Sequence, residues 1–264
     1  MKALITGASS GLGYEMAKIL SRKGYDIIAV ARREDRLLEL KQNLKTNVEI
    51  VVTDVTDEKA CRNLAQYAKD VDVLINNAGF GVFGKFSDTN LDAELKMLDT
   101  NVRAVHILTK LFVQEFKKRD YGYILNVASL AGFFSGPLFA AYYATKGYVL
   151  KLSEALNEEL RRDNSNVKIS VLCPGPIHTE FGKVANISFG RGKSKFGKYI
   201  SLKCEDIAEL AIKRMFKGKC VTVPGTIMKV AVFLSRIMPR KALSKVIYLI
   251  QSKKVTVKEK PVMK

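Results

Sequence analysis

What the chain has little of narrows the field first. Histidine occurs only at His106 and His178, and the four cysteines, Cys61, Cys173, Cys204 and Cys220, stand far apart with no C-x-x-C pair. That scarcity excludes a zinc ribbon and a disulfide framework, so no metal is expected and the thiols read as buried groups in a reducing compartment. No run of about 18 uncharged apolar residues occurs, so no segment reads as a membrane span. The first strand-like run begins at Lys2, which leaves no room for a leader, and a cytoplasmic protein is expected. Acids are also scarce: 26 Asp and Glu stand against 44 Lys and Arg, a formal net charge of +18. Such an excess favours anionic partners. No recognised nucleic-acid motif accompanies it, however, and many of the lysines fall on helix faces, so a nucleic-acid binder is not the expectation.

What is present alternates. Short apolar runs (KALIT, YDIIAVA, VEIVVTD, VDVLINN, GYILNVAS, VKISVLCPG, CVTVPG) are separated by helical patterns at about 12–23, 34–44, 57–68, 91–118, 139–162 and 205–216. Nearly continuous apolar runs suit strands buried on both faces, which predicts an α/β fold with a parallel sheet between two helical layers. No internal repeat or low-complexity linker divides the chain. A catalytic domain over 1–225 and a C-terminal helical extension over 226–264 are the expected parts.

The stretch TGASSGLG, Thr6 to Gly13, follows the first strand. Its letters fit the G-x-S-x-G turn of a serine hydrolase, but that reading needs an oxyanion loop from an earlier element and a histidine placed after an acid. Only five residues precede the turn. The other reading is a phosphate turn: Gly7 permits a sharp bend, Gly11 lets the backbone approach a pyrophosphate, and Gly13 lets the helix lie close to the sheet. At the end of the second strand a dinucleotide site for NAD would carry an acid. Here Ala31 is followed by Arg32 and Arg33, suited to holding a 2′-phosphate, so the expected cofactor is NADP(H).

Tyr142 and Lys146 lie four apart in YYATK and share a helix face, whereas Tyr143 is turned about 100 degrees away. A neighbouring ammonium and an oxidised nicotinamide would favour the phenolate and lower the tyrosine pKa.

At this point the chain resembles the short-chain dehydrogenase/reductase family from Lys2 to about Phe181. The resemblance rests on TGASSGLG, Asp54, NNAG at Asn76 to Gly79, Asn101 in TNVRA, Ser129 thirteen residues before Tyr142, Y-x-x-x-K, and PGPIHT at Pro174 to Thr179. It implies a Rossmann-type doubly wound sheet and an enzyme that interconverts a carbonyl and a secondary alcohol by hydride transfer. It implies Tyr142 as acid/base, Ser129 orienting the carbonyl oxygen, Lys146 holding the nicotinamide ribose, and Asn101 positioning a water. Asp54 would meet the adenine edge, Asn77 and Gly79 the adenosine and ribose side, and Thr179 the nicotinamide amide. Cofactor contacts are also implied at Ser9, Ser10, Leu12, Val55, Ala78, Pro174, Gly175 and Ile177. Ser9 and Ser10 depart from the basic residue often found inside the turn of NADP-preferring members, which leaves discrimination to Arg32 and Arg33.

Substrate selection in this family resides after PGPIHT. There, residues 181–204 combine four glycines, six Lys or Arg and no acid, which suggests a lid with an aromatic underside and a cationic rim. Phe133, Phe134, Leu138 and Phe139 suggest an apolar wall. A hydrophobic carbonyl compound is the expected substrate, with a ketoacyl thioester as the alternative. A non-catalytic NADP-binding module or a nucleic-acid-binding protein is the reading from a different class. The C-terminal apolar stretch is expected to pack on the chain's own or a partner's core in a homodimer or homotetramer, with peripheral membrane contact as the alternative.

Overall fold

The computed structural model describes residues 1–177, 181–184, 187–188, 202–252 and 255–256. Its elements run β1 (Lys2–Thr6), α1 (Gly11–Arg22), β2 (Asp26–Ala31), α2 (Glu34–Asn43), β3 (Val48–Val52), α3 (Glu58–Leu64), β4 (Val73–Asn76), α4 (Leu91–Leu98), α5 (Val105–Lys118), β5 (Tyr123–Val127), α6 (Ala140–Arg162) and β6 (Lys168–Leu172). After a helical turn α7 (Phe181–Val184) and a short β7 (Ile187–Ser188) come α8 (Cys204–Phe216), β8 (Val221–Thr222), α9 (Thr226–Ile237), α10 (Arg240–Gln251) and β9 (Val255–Thr256).

Seven strands form one sheet in the order β3-β2-β1-β4-β5-β6-β8, every pair parallel. All seven apolar runs read from the sequence are in it. The central strands β1 and β4 are buried on both sides because helices cover both faces. On one face α1, α2 and α8 bring Met16, Leu20, Leu37, Leu40, Ile212 and Met215 against the sheet. On the other, α3, α5 and α6 bring Leu64, Leu108, Phe112, Phe116 and Leu160. The chain order departs from β1 towards β2 and β3 and then returns to β4, so the strand order reverses between β1 and β4. Crevices at such a reversal, outside the carboxyl ends of the strands, are where doubly wound sheets bind ligands.

The pattern at 91–118 predicts one helix, but the structure breaks it. Between α4 and α5 the backbone widens into a π-helical turn, Asp99–Ala104, with Asn101 inside it. The buried positions Met97, Asn101, Ala104, Leu108 and Phe112 keep three- and four-residue spacings through it, so the sequence pattern runs on unmarked.

The C-terminal stretch buries little of its apolar surface within its own chain, which leaves open the expected packing on a partner's core. In α9 only Val232 is buried and in α10 only Ile247 and Gln251, while Ile227, Phe233, Ile237 and Leu249 stay more than half exposed. No helix among the described residues is long and apolar enough to cross a membrane.

Candidate active site

The glycine turn is held from below by Asn77. Its backbone N–H donates to Thr6 Oγ1 at 3.0 Å, and its side-chain Nδ2 donates to the carbonyls of Thr6 at 3.0 Å and Gly7 at 3.1 Å. Gly7 and Gly11 have φ of 68° and 57°, the left-handed region that glycine adopts without a Cβ penalty. A Cβ on Gly13 would lie 2.4 Å from the Gly7 carbonyl oxygen and 2.5 Å from Asn77 Nδ2, so this glycine lets α1 start directly against the turn. Ser10 caps α1 without a side-chain bond, and no acid occupies the first turn. The backbone donors there suit an anion. Asn77, expected on the adenosine side, thus spends its side chain on the turn itself. Thr6 is a residue the sequence reading missed: its Oγ1 also accepts from the Ala78 N–H at 3.1 Å and so joins β1 to the segment after β4.

Beside the turn, Arg33 Nη2 donates to Ser9 Oγ at 3.2 Å, and Arg32 Nη1 lies 3.5 Å from Asp54 Oδ2 with much of its side chain in solvent. The other Asp54 oxygen accepts from the Thr56 N–H at 3.0 Å. Ala31 is buried, so no side chain competes with the two arginines at the end of β2. This donor set fits a phosphorylated ribose: two adjacent guanidiniums at the end of β2 and, bonded to one of them, a serine hydroxyl of the glycine turn. Leu12 and Val55 are buried in the two cores, and Ala78 and Ile177 pack against them.

Across the β1–β4 reversal lies a second group of side chains. Tyr142 and Lys146, on the first turns of α6, are both buried. Lys146 Nζ donates to the Val127 carbonyl at 2.9 Å and stands 5.9 Å from the centre of the Tyr142 ring. Ser129, just past β5, lies beside the Tyr142 phenol, and its Oγ accepts from the Ala131 N–H at 3.1 Å and donates to the Pro174 carbonyl at 3.5 Å. Asn101 is fully buried in the π turn. Its Nδ2 donates to the Phe80 carbonyl at 2.8 Å and Thr145 Oγ1 at 3.1 Å, and its Oδ1 accepts from the Phe80 N–H at 3.1 Å. Gly79 fits beneath: a Cβ there would lie 2.9 Å from Asn101 Oδ1 and 3.3 Å from Lys146 Nζ. Pro174 is buried after β6, and its carbonyl accepts from the Leu130 N–H at 2.9 Å, which fixes the Ser129 turn to the next strand end.

A buried polar chain supports this group from inside the fold. Asn76 Nδ2 donates to Asn126 Oδ1 at 2.8 Å and Thr109 Oγ1 at 3.1 Å, and Asn126 Nδ2 donates to Ser153 Oγ at 3.0 Å. The chain ties β4 and β5 to α5 and α6, and these elements carry Tyr142 and adjoin the turns that hold Asn101 and Ser129. Its signal in the sequence is an asparagine inside each of two otherwise apolar runs.

Burial sets the electrostatics. It pushes the Tyr142 phenol well above its ordinary value of 10.0, only partly offset by Ser129. It also lowers the Lys146 ammonium from 10.5 to about 8. The lowering of the phenol expected from Lys146 does not arise in the chain alone: burial dominates, and Ser129 is the one group that lowers it. The resting phenol carries its proton.

Apolar rings surround the phenol. Phe139 stacks on Tyr142 with centroids 4.4 Å apart and 19° between planes, and Phe181 lies 5.4 Å away. A Cβ on Gly81 would lie 2.4 Å from the Phe139 ring, so glycine is what admits this stack. Leu138 packs on the same cluster, while Phe133 packs instead with Val149 and Leu150 on another and so leaves the expected wall. Tyr143 is turned away as the helix spacing predicts, and its hydroxyl accepts from Gln251 Nε2 of α10 at 2.6 Å. Thr179 and most of the 181–204 segment expected as a lid lie outside the described residues.

The family described as short chain dehydrogenase matches residues 1–187. An uncharacterized oxidoreductase of Staphylococcus epidermidis is 30% identical over 225 residues, 84% of this chain and 93% of its own length. A Haemophilus influenzae protein described as a probable NADP-dependent dehydrogenase is 33% identical over 225 residues, 80% of this chain and 85% of its own. Among solved structures, a short-chain dehydrogenase from Sphingobium yanoikuyae in complex with NADPH superposes with a TM-score of 0.77 at 25% identity, covering 100% of this chain and 98% of that one.

Proposed function

The chain belongs to the short-chain dehydrogenases, a family of nicotinamide-dependent oxidoreductases, and on that footing we propose that it interconverts a hydrophobic carbonyl compound and a secondary alcohol with NADP(H). The observation that carries this reading is the group of buried Tyr142, Lys146 and Asn101 with half-buried Ser129 at the carboxyl ends of the strands, Phe139 and Phe181 lying against the phenol ring.

The glycine turn and the start of α1 hold the pyrophosphate through backbone N–H groups, with Ser9, Ser10 and Leu12 along the turn. Arg32 and Arg33 would hold the 2′-phosphate, Asp54 and Val55 would flank the adenine, and Ala78 and Gly79 the ribose. Pro174, Gly175 and Ile177 would border the nicotinamide, and the resemblance adds Thr179, which lies outside the described residues. When bound, NADPH supplies the hydride that reaches the carbonyl carbon. Tyr142 donates its phenolic proton to the carbonyl oxygen, which Ser129 Oγ–H holds in line. The phenolate left behind is stabilised by the Lys146 ammonium and regains a proton through water positioned by Asn101. The apolar rings exclude bulk water and select a greasy substrate. In the oxidative direction each proton moves the other way.

Residues 1–225 serve as the catalytic domain and 226–264 as an extension, whose helices α9 and α10 lie on the substrate side. The same reading gives the chain a second copy of itself as partner in a homodimer or homotetramer and gives its C-terminal helices a peripheral contact with a membrane. The deciding experiment is NADPH and NADH oxidation over a panel of apolar ketones and aldehydes. Turnover confined to NADPH and lost in Tyr142→Phe is expected; turnover retained by that variant would refute the assignment.

A further inference from the structure

Helices α9 and α10 each carry three longitudinal strips. In α9 the core-facing side holds Val232, and the opposite side holds Ile227, Val230, Phe233, Leu234 and Ile237, spaced three and four apart as one helix face requires. Phe233 is 62% exposed and Ile237 69%. Along one edge of that face run Lys229 and Arg236. Helix α10 repeats the plan: Ile247 and Gln251 face the fold, Val246, Leu249 and Ile250 face outward, and Lys241 and Lys245 form the edge. Within the described residues these apolar strips have no cover, and none of the four edge cations is in an ion pair.

The charge around the strips is of one sign. From Glu209 to Glu259 the chain contains no acid, while Arg240 joins the four edge cations at the junction of the helices. A second copy docked symmetrically on this face would set cation against cation, since an isologous contact offers each strip only its own chemistry. An apolar strip bordered by lysine and arginine is instead complementary to a surface that is greasy within and negative at its rim.

We propose that α9 and α10 dock the protein on an anionic lipid bilayer, with the outward strips in the acyl boundary and the five cations among the headgroups. Docking stands on these two helices alone and does not depend on the reaction catalysed. Its position would bring an apolar substrate from the bilayer to the Ser129–Tyr142 side of the fold. Helix α9 packs on the Leu130–Phe133 turn, Met228 lies against Gly175, and α10 is bonded to Tyr143 through Gln251 and to Ser135 through Ser244.

The test is flotation of the full chain with vesicles of phosphatidylcholine alone and of phosphatidylcholine mixed with phosphatidylglycerol. Binding to the mixed vesicles should exceed binding to the neutral ones by about tenfold or more and weaken with salt. Lys241→Gln with Lys245→Gln should lose about fivefold per cation, and Phe233→Ser with Leu249→Ser about tenfold or more. Both pairs should keep NADPH oxidation in vesicle-free buffer, so a failed reaction reading and a failed docking reading give different results. Absence of binding to either vesicle, or equal binding to both, overturns the proposal. So does a serine pair that lowers the sedimenting mass while leaving flotation unchanged, because that result assigns the face to a second copy.

Discussion

Two adjacent tyrosines show how a single side chain's surroundings separate chemistry from packing. Tyr142 has Ser129 and Lys146 for neighbours, while Tyr143 points to Gln251, 108 residues further along the chain. Tyr142→Phe should therefore lower turnover by about 100-fold or more with NADPH affinity nearly unchanged, as expected on losing a general acid while its ring is kept. Tyr143→Phe should leave turnover largely intact and cost about 1 kcal/mol in urea unfolding from one lost hydrogen bond. The reverse pattern would refute the pairing. At the cofactor end, Arg32 is tied only loosely to Asp54, at 3.5 Å, and much of its side chain is in solvent. Arg32→Ala should weaken NADPH by tenfold or more, about 1.4 kcal/mol or greater, while NADH changes little. Equal losses for both cofactors would assign the arginine to the shared part of the dinucleotide. Lys146 carries a pH signature. Its folded value of about 8 lies below 10.5, so between these the unfolded chain binds more protons and stability rises with pH. Below pH 8 both states are charged and the burial penalty stands in full. Against Lys146→Met, the wild-type protein should gain up to about 3 kcal/mol from pH 8 to 10.5, read as the shift in urea midpoint. The raised Tyr142 phenol acts with the opposite sign, but only above its ordinary value of 10.0. A flat difference across that window would show that Lys146 is hydrated.

Among the elements, the β1–α1 turn is where sequence and structure agree most closely. Glycine spacing alone is compatible with either a phosphate turn or mere tight packing, and the structure uses both properties at once. Gly13→Ala would drive a methyl to 2.4 Å from the Gly7 carbonyl, and both groups are backbone-anchored or locked by Asn77. The substitution should cost about 2 kcal/mol or more and loosen NADPH binding together with stability, because the turn and the helix start must separate. A stable variant with normal cofactor affinity would mean that the turn shifts freely. Strands were legible for a simple reason: burial on both faces forces continuous apolar runs, and seven such runs became seven parallel strands. The group at Tyr142 was legible because its spacing lies within one helix. Less visible were Thr6, Thr145 and the Asn76–Asn126–Ser153 chain, whose partners lie far away in sequence and whose roles come only from strand adjacency. The π turn at Asn101 was hidden because its flanking helices share a continuous apolar period.

At the scale of the molecule, the C-terminal extension is joined to the rest of the fold by few groups. Neither large core cluster contains a residue beyond Phe216, and within α9 and α10 only Val232, Ile247 and Gln251 are buried. The sequence showed the helical period of this region but not its direction, since an apolar strip reads the same whether it meets a core or faces outward. Among the described residues, the extension's contacts fall on Leu130–Phe133, Ser135, Tyr143 and Gly175 and, through β9, on β7. Ending the chain after Gly225 should therefore preserve the adenosine end of the cofactor site. NADPH affinity, measured by quenching of its fluorescence or by calorimetry, should stay within about threefold of the full chain, less than one lost hydrogen bond to a charged group would cost. Turnover of an apolar ketone should fall much further, because the helices that back the Ser129–Tyr142 loop are gone. A shortened chain that unfolds cooperatively yet binds NADPH more than tenfold more weakly would place part of the cofactor site beyond Gly225. The division of the molecule into a catalytic domain and an extension would then have to be redrawn.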